Sequence, residues 1–174
     1  MSSLRPVAVV LTAPGPVAGT LDVPAALATL AGRIEFRACD GTGLAGALPG
    51  ARALFMWDFF SSALADAWSA ATDLEWIHLA AAGVDTLLFD ALRDSDVVVT
   101  NARGTFDRPI AEFVLASVLA HAKRLYESWE LQRNGVWRHR ETATVVGARA
   151  LVVGTGAIAR EIARLLAAVG VVVR

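Results

Sequence analysis

The chain has 174 residues, 55% hydrophobic and 19% charged, with a formal net charge of −1, a globular composition that excludes a disordered tail or a basic nucleic-acid-binding arm. Its single cysteine, Cys39, cannot form an internal disulfide, and no Cys/His cluster has metal-ligand spacing, so a reducing cytoplasm and a site without metal are expected. Mean hydropathy is +0.50, but Glu112, Lys123, Arg160 and Glu161 interrupt the apolar stretches before any reaches the roughly 18 residues of a spanning helix, which predicts a soluble chain with no membrane partner.

The N-terminal apolar run ends at Pro14 and Gly15, too short for the core of a signal peptide, and reads as a first strand. Over the first hundred residues, short runs of branched apolar residues alternate with longer Ala/Leu stretches, the pattern of helices covering both faces of a parallel sheet. Strands are predicted at 7–11, 34–38, 53–57, 76–80 and 97–100, and helices at 23–31, 61–71 and 84–92. Gly41, Gly43, Gly46, Pro49 and Gly50 make the connection after the second strand a poor helix, one short turn at most.

A new segment begins near Asn101. A loop leads to Pro109, suited to a first helical turn because its missing N–H would have no partner there. Ile110, Phe113, Val114, Ser117, Val118, His121 and Leu125 then recur at helical spacing, and Leu115 and Leu119 widen the stripe beyond what one neighbour covers. This predicts a helix over 109–125 packed on two partners. Residues 136–147 read as loop, and the chain finishes with a strand, a glycine turn, a helix and the start of another strand.

That turn is Gly154-Thr155-Gly156-Ala157-Ile158-Ala159, entered from Leu151, Val152 and Val153. In a dinucleotide-binding unit the first glycine permits the tight turn, the second lets backbone approach a pyrophosphate, and the third position must be small for helix and strand to pack. Ala159 meets the last demand, and the helix start offers unpaired N–H groups at Ala157 and Ile158. The same pattern also serves a plain strand-to-helix turn without a ligand. The ribose-binding acid that separates NAD from NADP is expected about 20 residues further on, at or past Arg174.

Four blocks, LEWIHLAAAGVDTL at 74–87, VVVTNARGTFDRPIAEFVLASVLAHAKRL at 97–125, LQRNGVWRHRE at 131–141 and ALVVGTGAIAREIARLLAAVG at 150–170, make the sequence resemble the D-isomer-specific 2-hydroxyacid dehydrogenases. The resemblance implies an α/β chain: a flavodoxin-like parallel-sheet substrate domain over 1–100, then the interdomain helix and first βα unit of a Rossmann NAD(P)-binding domain over 101–174. It implies an oxidoreductase that interconverts a 2-oxo acid and an (R)-2-hydroxy acid with NAD or NADP. Ala82 and Gly83 match a loop whose backbone N–H groups face the substrate carboxylate, although by themselves they read more readily as a small-residue turn into the next helix. Thr105 matches a position beside the nicotinamide, and Gly154, Gly156, Ala157 and Ile158 match the cofactor turn. Trp57 and Asp58 fall at a strand's carboxyl end, with Trp57 expected in the core. Arg108 stands where many relatives carry an acid.

The long helix matches one that often forms a dimer interface, which implies a homodimer through 109–125. The family's catalytic arginine, histidine and acid fall beyond the last residue, and His78, His121 and His139 do not match the histidine. His121 reads as a core or interface residue, and His139 as a solvated one. These 174 residues alone are therefore expected not to turn over. The alternative is a non-catalytic nucleotide-binding or dimerising fragment.

Overall fold

The computed structural model describes residues 5–15 and 19–174. Residues 1–4 and 16–18, the ends of the N-terminal segment read as strand and turn, lie outside the described residues. The chain divides between Arg103 and Gly104 into two compact units.

In the first unit five strands, β1 (Val7–Leu11), β2 (Glu35–Cys39), β3 (Ala53–Met56), β4 (Trp76–Leu79) and β5 (Val98–Asn101), form one sheet in the order β2-β1-β3-β4-β5. Every pair is parallel, with Val9 opposite Arg37 and Leu54, Leu54 opposite Ile77, and Ile77 opposite Val99. Strand β1, between β2 and β3, is wholly apolar, and Val9, Val10 and Leu11 are fully buried because both sheet faces are covered there. One face carries the core: Val9, Leu11, Leu54, Met56, Ile77 and Leu79 pack with Leu44, Leu48, Leu64 and Leu92 from the connections. On the other face, Phe55 and His78 are half-buried and Trp76 and Val98 are exposed. The Trp76 indole N–H donates to the Thr100 hydroxyl at 2.8 Å, and His78 Nδ1 lies 2.9 Å from the same oxygen.

All five strands are where the sequence reading puts them, to within a residue at each end. The connections are shorter than periodicity predicts. The stretch read as a helix over 23–31 is a 3-10 helix, Ala25–Leu30; it buries no residue and has no side-chain cap, so neither packing nor capping selects the longer α form. The helix read over 61–71 divides into α2 (Ala63–Ala67) and a 3-10 turn, Trp68–Ala70. The predicted short turn after β2 is α1 (Leu44–Ala47), which buries Leu44.

The largest departure lies at 84–92, where only α3 (Asp90–Arg93) is helical. Before it, the Leu87 N–H closes a turn onto the Val84 carbonyl, Leu87 is buried, and Phe89 is extended at φ −130° and ψ 162°. Sinking Leu87 into the core and turning Phe89 edge-on to Trp68, 5.2 Å between centroids, is incompatible with a continuous helix.

In the second unit α4 (Asp107–Ala122) contains Pro109 in its first turn, as expected. It ends three residues before the predicted limit because Arg124 takes the left-handed conformation at φ 52°. A further helix follows, α5 (Leu125–Arg133), which the sequence reading left unassigned. The short strands β6 (Arg149–Ala150) and β7 (Val172–Val173) pair in parallel around α6 (Ala157–Ala168). The expected strand at 151–153 continues this pairing through a hydrogen bond from the Val152 N–H to the Arg174 carbonyl at 2.9 Å. Val145, Leu166 and Val171 form the core, with Leu115, Val118, Leu119 and Ala122 of α4 and Ile162 of α6 against it. Among the described residues no helix is long and apolar enough to cross a membrane.

Candidate functional site

Because every strand of the first unit runs the same way, all carboxyl ends share one edge, and the strand order reverses beside β1, the position where open α/β sheets receive ligands. Both the Trp57 and the Asp58 N–H donate to the Leu11 carbonyl at 2.9 Å, tying the end of β3 to β1. Trp57, expected in the core, is instead 39% exposed: it follows the last residue of β3, where the face that buries Leu54 and Met56 no longer covers it.

Ala81, Ala82 and Gly83 follow β4 at this edge. The end of β5 holds them from beneath: the Asn101 side-chain amide donates to the Ala82 carbonyl at 2.7 Å and the Ala102 N–H to the Ala81 carbonyl at 3.0 Å. With the carbonyls engaged, the Ala82 and Gly83 N–H groups donate to no protein acceptor among the described residues. A side chain on Gly83 would press on the Asp85 carboxylate, 3.2 Å from its Cβ position. Asn101 is the residue whose function sequence reasoning missed. A lone loop asparagine carries no pattern, and only the strand register reveals its reach across 19 positions.

In the second unit Gly154 stands at φ +117°, a backbone region that L side chains rarely adopt, and nothing lies within 4 Å of a Cβ built there or at Gly156. Gly156 is the N-cap of α6, no side chain caps the helix, and its first turn has no acid. Thus Gly154 and Gly156 leave the helix start bare, with the Ala157 and Ile158 amides at its positive end. Thr105 lies exposed in the loop before α4. The structure brings Gly154, Gly156, Ala157 and Ile158 together in one turn, and Ala82 with Gly83 in another.

An ionic network joins α4 to α6. Arg108 Nε is 2.5 Å from Glu112, its Nη1 is 3.2 Å from Glu161, and Arg164 Nη2 is 2.7 Å from Glu161. Hydrogen bonding from Arg164, and then from Arg108, lowers the Glu161 carboxyl from 4.5 to about 2. Glu112 and Glu161 are thus partners of arginines on the helix surfaces. The spacing of Arg108 with Glu112 and of Glu161 with Arg164 was a readable signal. His121, expected in a core or interface, is exposed in this chain.

A family model described as D-isomer specific 2-hydroxyacid dehydrogenase, NAD binding domain, matches residues 115–174. D-3-phosphoglycerate dehydrogenase of Mycobacterium leprae is 30% identical over 149 residues, which are 83% of this chain and 28% of that one. Over these residues the chain is similar to the D-isomer specific 2-hydroxyacid dehydrogenases. Two solved structures share the fold of these dehydrogenases. A D-isomer specific 2-hydroxyacid dehydrogenase family protein from Aeromonas salmonicida has a TM-score of 0.77 at 22% identity, covering 98% of this chain and 53% of that one. A 2-hydroxyacid dehydrogenase from Ketogulonicigenium vulgare has a TM-score of 0.76 at 23% identity, covering 97% and 53%. The chain spans about half the length of these solved relatives and just over a quarter of the mycobacterial one. The dehydrogenase NAD-binding match takes in the glycine turn and α6, so NAD(P) is the cofactor class of the matched domain.

Proposed function

We propose that this chain supplies the substrate-side unit and the opening strand-turn-helix of the cofactor-side unit of an NAD(P)-dependent oxidoreductase that interconverts a 2-oxo acid and an (R)-2-hydroxy acid. On this reading residues 1–100 form the substrate domain and residues 101–174 the interdomain helix and part of the NAD(P)-binding domain. The observation that carries the proposal is the uncapped start of α6, with Gly154 at φ +117° and open space over Gly154 and Gly156. Amides of Ala157 and Ile158 would hold a pyrophosphate there, aided by the helix dipole. Thr105 would stand beside the nicotinamide. The bound dinucleotide supplies the hydride chemistry.

Substrate binding falls to Ala82 and Gly83, whose free N–H groups would hold the carboxylate of a small 2-oxo or 2-hydroxy acid. Asn101 fixes their loop by occupying the Ala82 carbonyl. By resemblance, the arginine, histidine and acid of catalysis are not among these residues, so the 174 residues alone are expected to bind and position without turnover. A homodimer through the helix over 109–125 is supported by the exposure of Phe113 and Ile110 on α4. We place the protein in the cytoplasm on the strength of its single buried cysteine.

Calorimetric titration of the full chain with NADH and NADPH, followed also by nucleotide fluorescence, tests the central claim. Saturable binding is expected, and Gly156→Leu should raise the dissociation constant at least tenfold. Absence of both heat and fluorescence change would overturn it.

A further inference from the structure

The apolar contact between α4 and α6 lies in the later turns of α4. Leu115, Val118, Leu119 and Ala122 of α4 and Ile162 and Leu166 of α6 share the core of the second unit, whereas in the first two turns of α4 only Ala111 is buried and Ile110 and Phe113 are exposed. Toward the helix starts the contact is charged. Arg108, in the first turn of α4, reaches Glu161, in the second turn of α6, at 3.2 Å across 53 positions.

Each end of this bridge is set by a partner on its own helix. Glu112 takes Arg108 Nε at 2.5 Å, which leaves Nη1 for Glu161, and Arg164 holds both Glu161 oxygens at 2.7 and 2.9 Å. Two pre-set groups lose little side-chain freedom on meeting. Glu161, 23% exposed, is the least exposed of the four, so water screens the bridge less than an open surface pair. The loop that carries Thr105 lies just before Arg108, and the bare start of α6 at Gly156 lies one turn before Glu161. The bridge therefore sets the spacing between that loop and that helix start.

We propose that Arg108 is a positioning residue: through Glu161 it holds the Thr105 loop in register with the start of α6, so that one dinucleotide reaches both. The inference rests on the reading above, in which α6 takes the pyrophosphate and Thr105 stands beside the nicotinamide. Arg108 touches neither the nucleotide nor the substrate. Its contribution falls on the nicotinamide end, because the pyrophosphate amides of Ala157 and Ile158 belong to α6 itself.

Calorimetric titration of the full chain with NADH and with ADP, which carries the diphosphate but no nicotinamide, tests this on the parent and on Arg108→Ala, Arg108→Lys and Glu161→Gln, each checked for a parental circular dichroism spectrum. Arg108→Ala should raise the NADH dissociation constant about threefold, the scale of a partly screened ion pair, and leave that of ADP nearly unchanged. Arg108→Lys, which keeps the charge and a donor, should restore most of the loss. Glu161→Gln removes a negative charge, so charge alone would tighten both nucleotides, whereas lost register weakens NADH. Equal losses for both nucleotides in Arg108→Ala, or tighter NADH in Glu161→Gln, would overturn the proposal. A parent that binds NADH while both substitutions leave its affinity unchanged would sink this inference alone; a parent that binds neither nucleotide would end the reading of the glycine turn and this inference with it.

Discussion

Glu161 shows how a single residue acquires a property that its type does not announce. Arg164 and Arg108 hold its carboxyl ionised down to about pH 2, against an ordinary 4.5. Since the folded value is the lower one, the contact stabilises the chain fully above the ordinary carboxylate range. The contribution falls as pH drops through 4.5 and is gone below about 2. Thermal melting of the parent and of Glu161→Gln should therefore differ most near neutrality and converge in acid; a constant difference down to pH 2 would contradict the pairing. Residue-scale legibility was uneven. The glycines at 154 and 156 declare themselves because φ +117° at 154 favours glycine and the absence of a side chain at 156 keeps the helix start open. Asn101 and Arg108 do not, because their partners are distant or shared.

At the scale of elements, the strands were legible and most helices of the first unit were not, and one physical cause explains both. A strand buried between helices must be apolar throughout, and Val9, Val10, Leu54 and Ile77 meet that demand in runs short enough to read. The connecting segments are Ala-rich and weakly periodic, so propensity alone does not decide between an α-helix, a 3-10 turn and a loop; the burial of Leu87 and the extended Phe89 decide it. Ile77 is fully buried in the middle of β4, flanked by Leu54 of β3 and Val99 of β5. Ile77→Ala should cost about 2 to 5 kcal/mol in the unfolding of the first unit, measured by denaturant titration. A cost under about 1 kcal/mol would mean that this core is loosely packed.

For the whole molecule, the second unit presents Leu151 at 76% exposure, Val153 at 90% and Val146 at 69%, next to a two-strand sheet whose members pair only with each other among the described residues. Open strand edges beside exposed apolar side chains promote association, and a net charge of −1 opposes it weakly. Sedimentation velocity should show mass rising with concentration, and replacing Leu151 and Val153 with lysine should reduce the rise. A monodisperse monomer at high concentration would overturn this expectation.

The amino-acid order by itself determined the alternating βα architecture, the parallel sheet, the glycine turn and the family resemblance, because each rests on local chemistry: apolar runs, glycine freedom and the spacing of small residues. Tertiary structure alone decided which connections are helical, where α4 stops, that Arg108 reaches Glu161 across 53 positions, and that Asn101 holds the loop at Ala82. Those outcomes depend on groups far apart along the chain, and the free energy of bringing them together is set by burial and register that no short window of sequence contains.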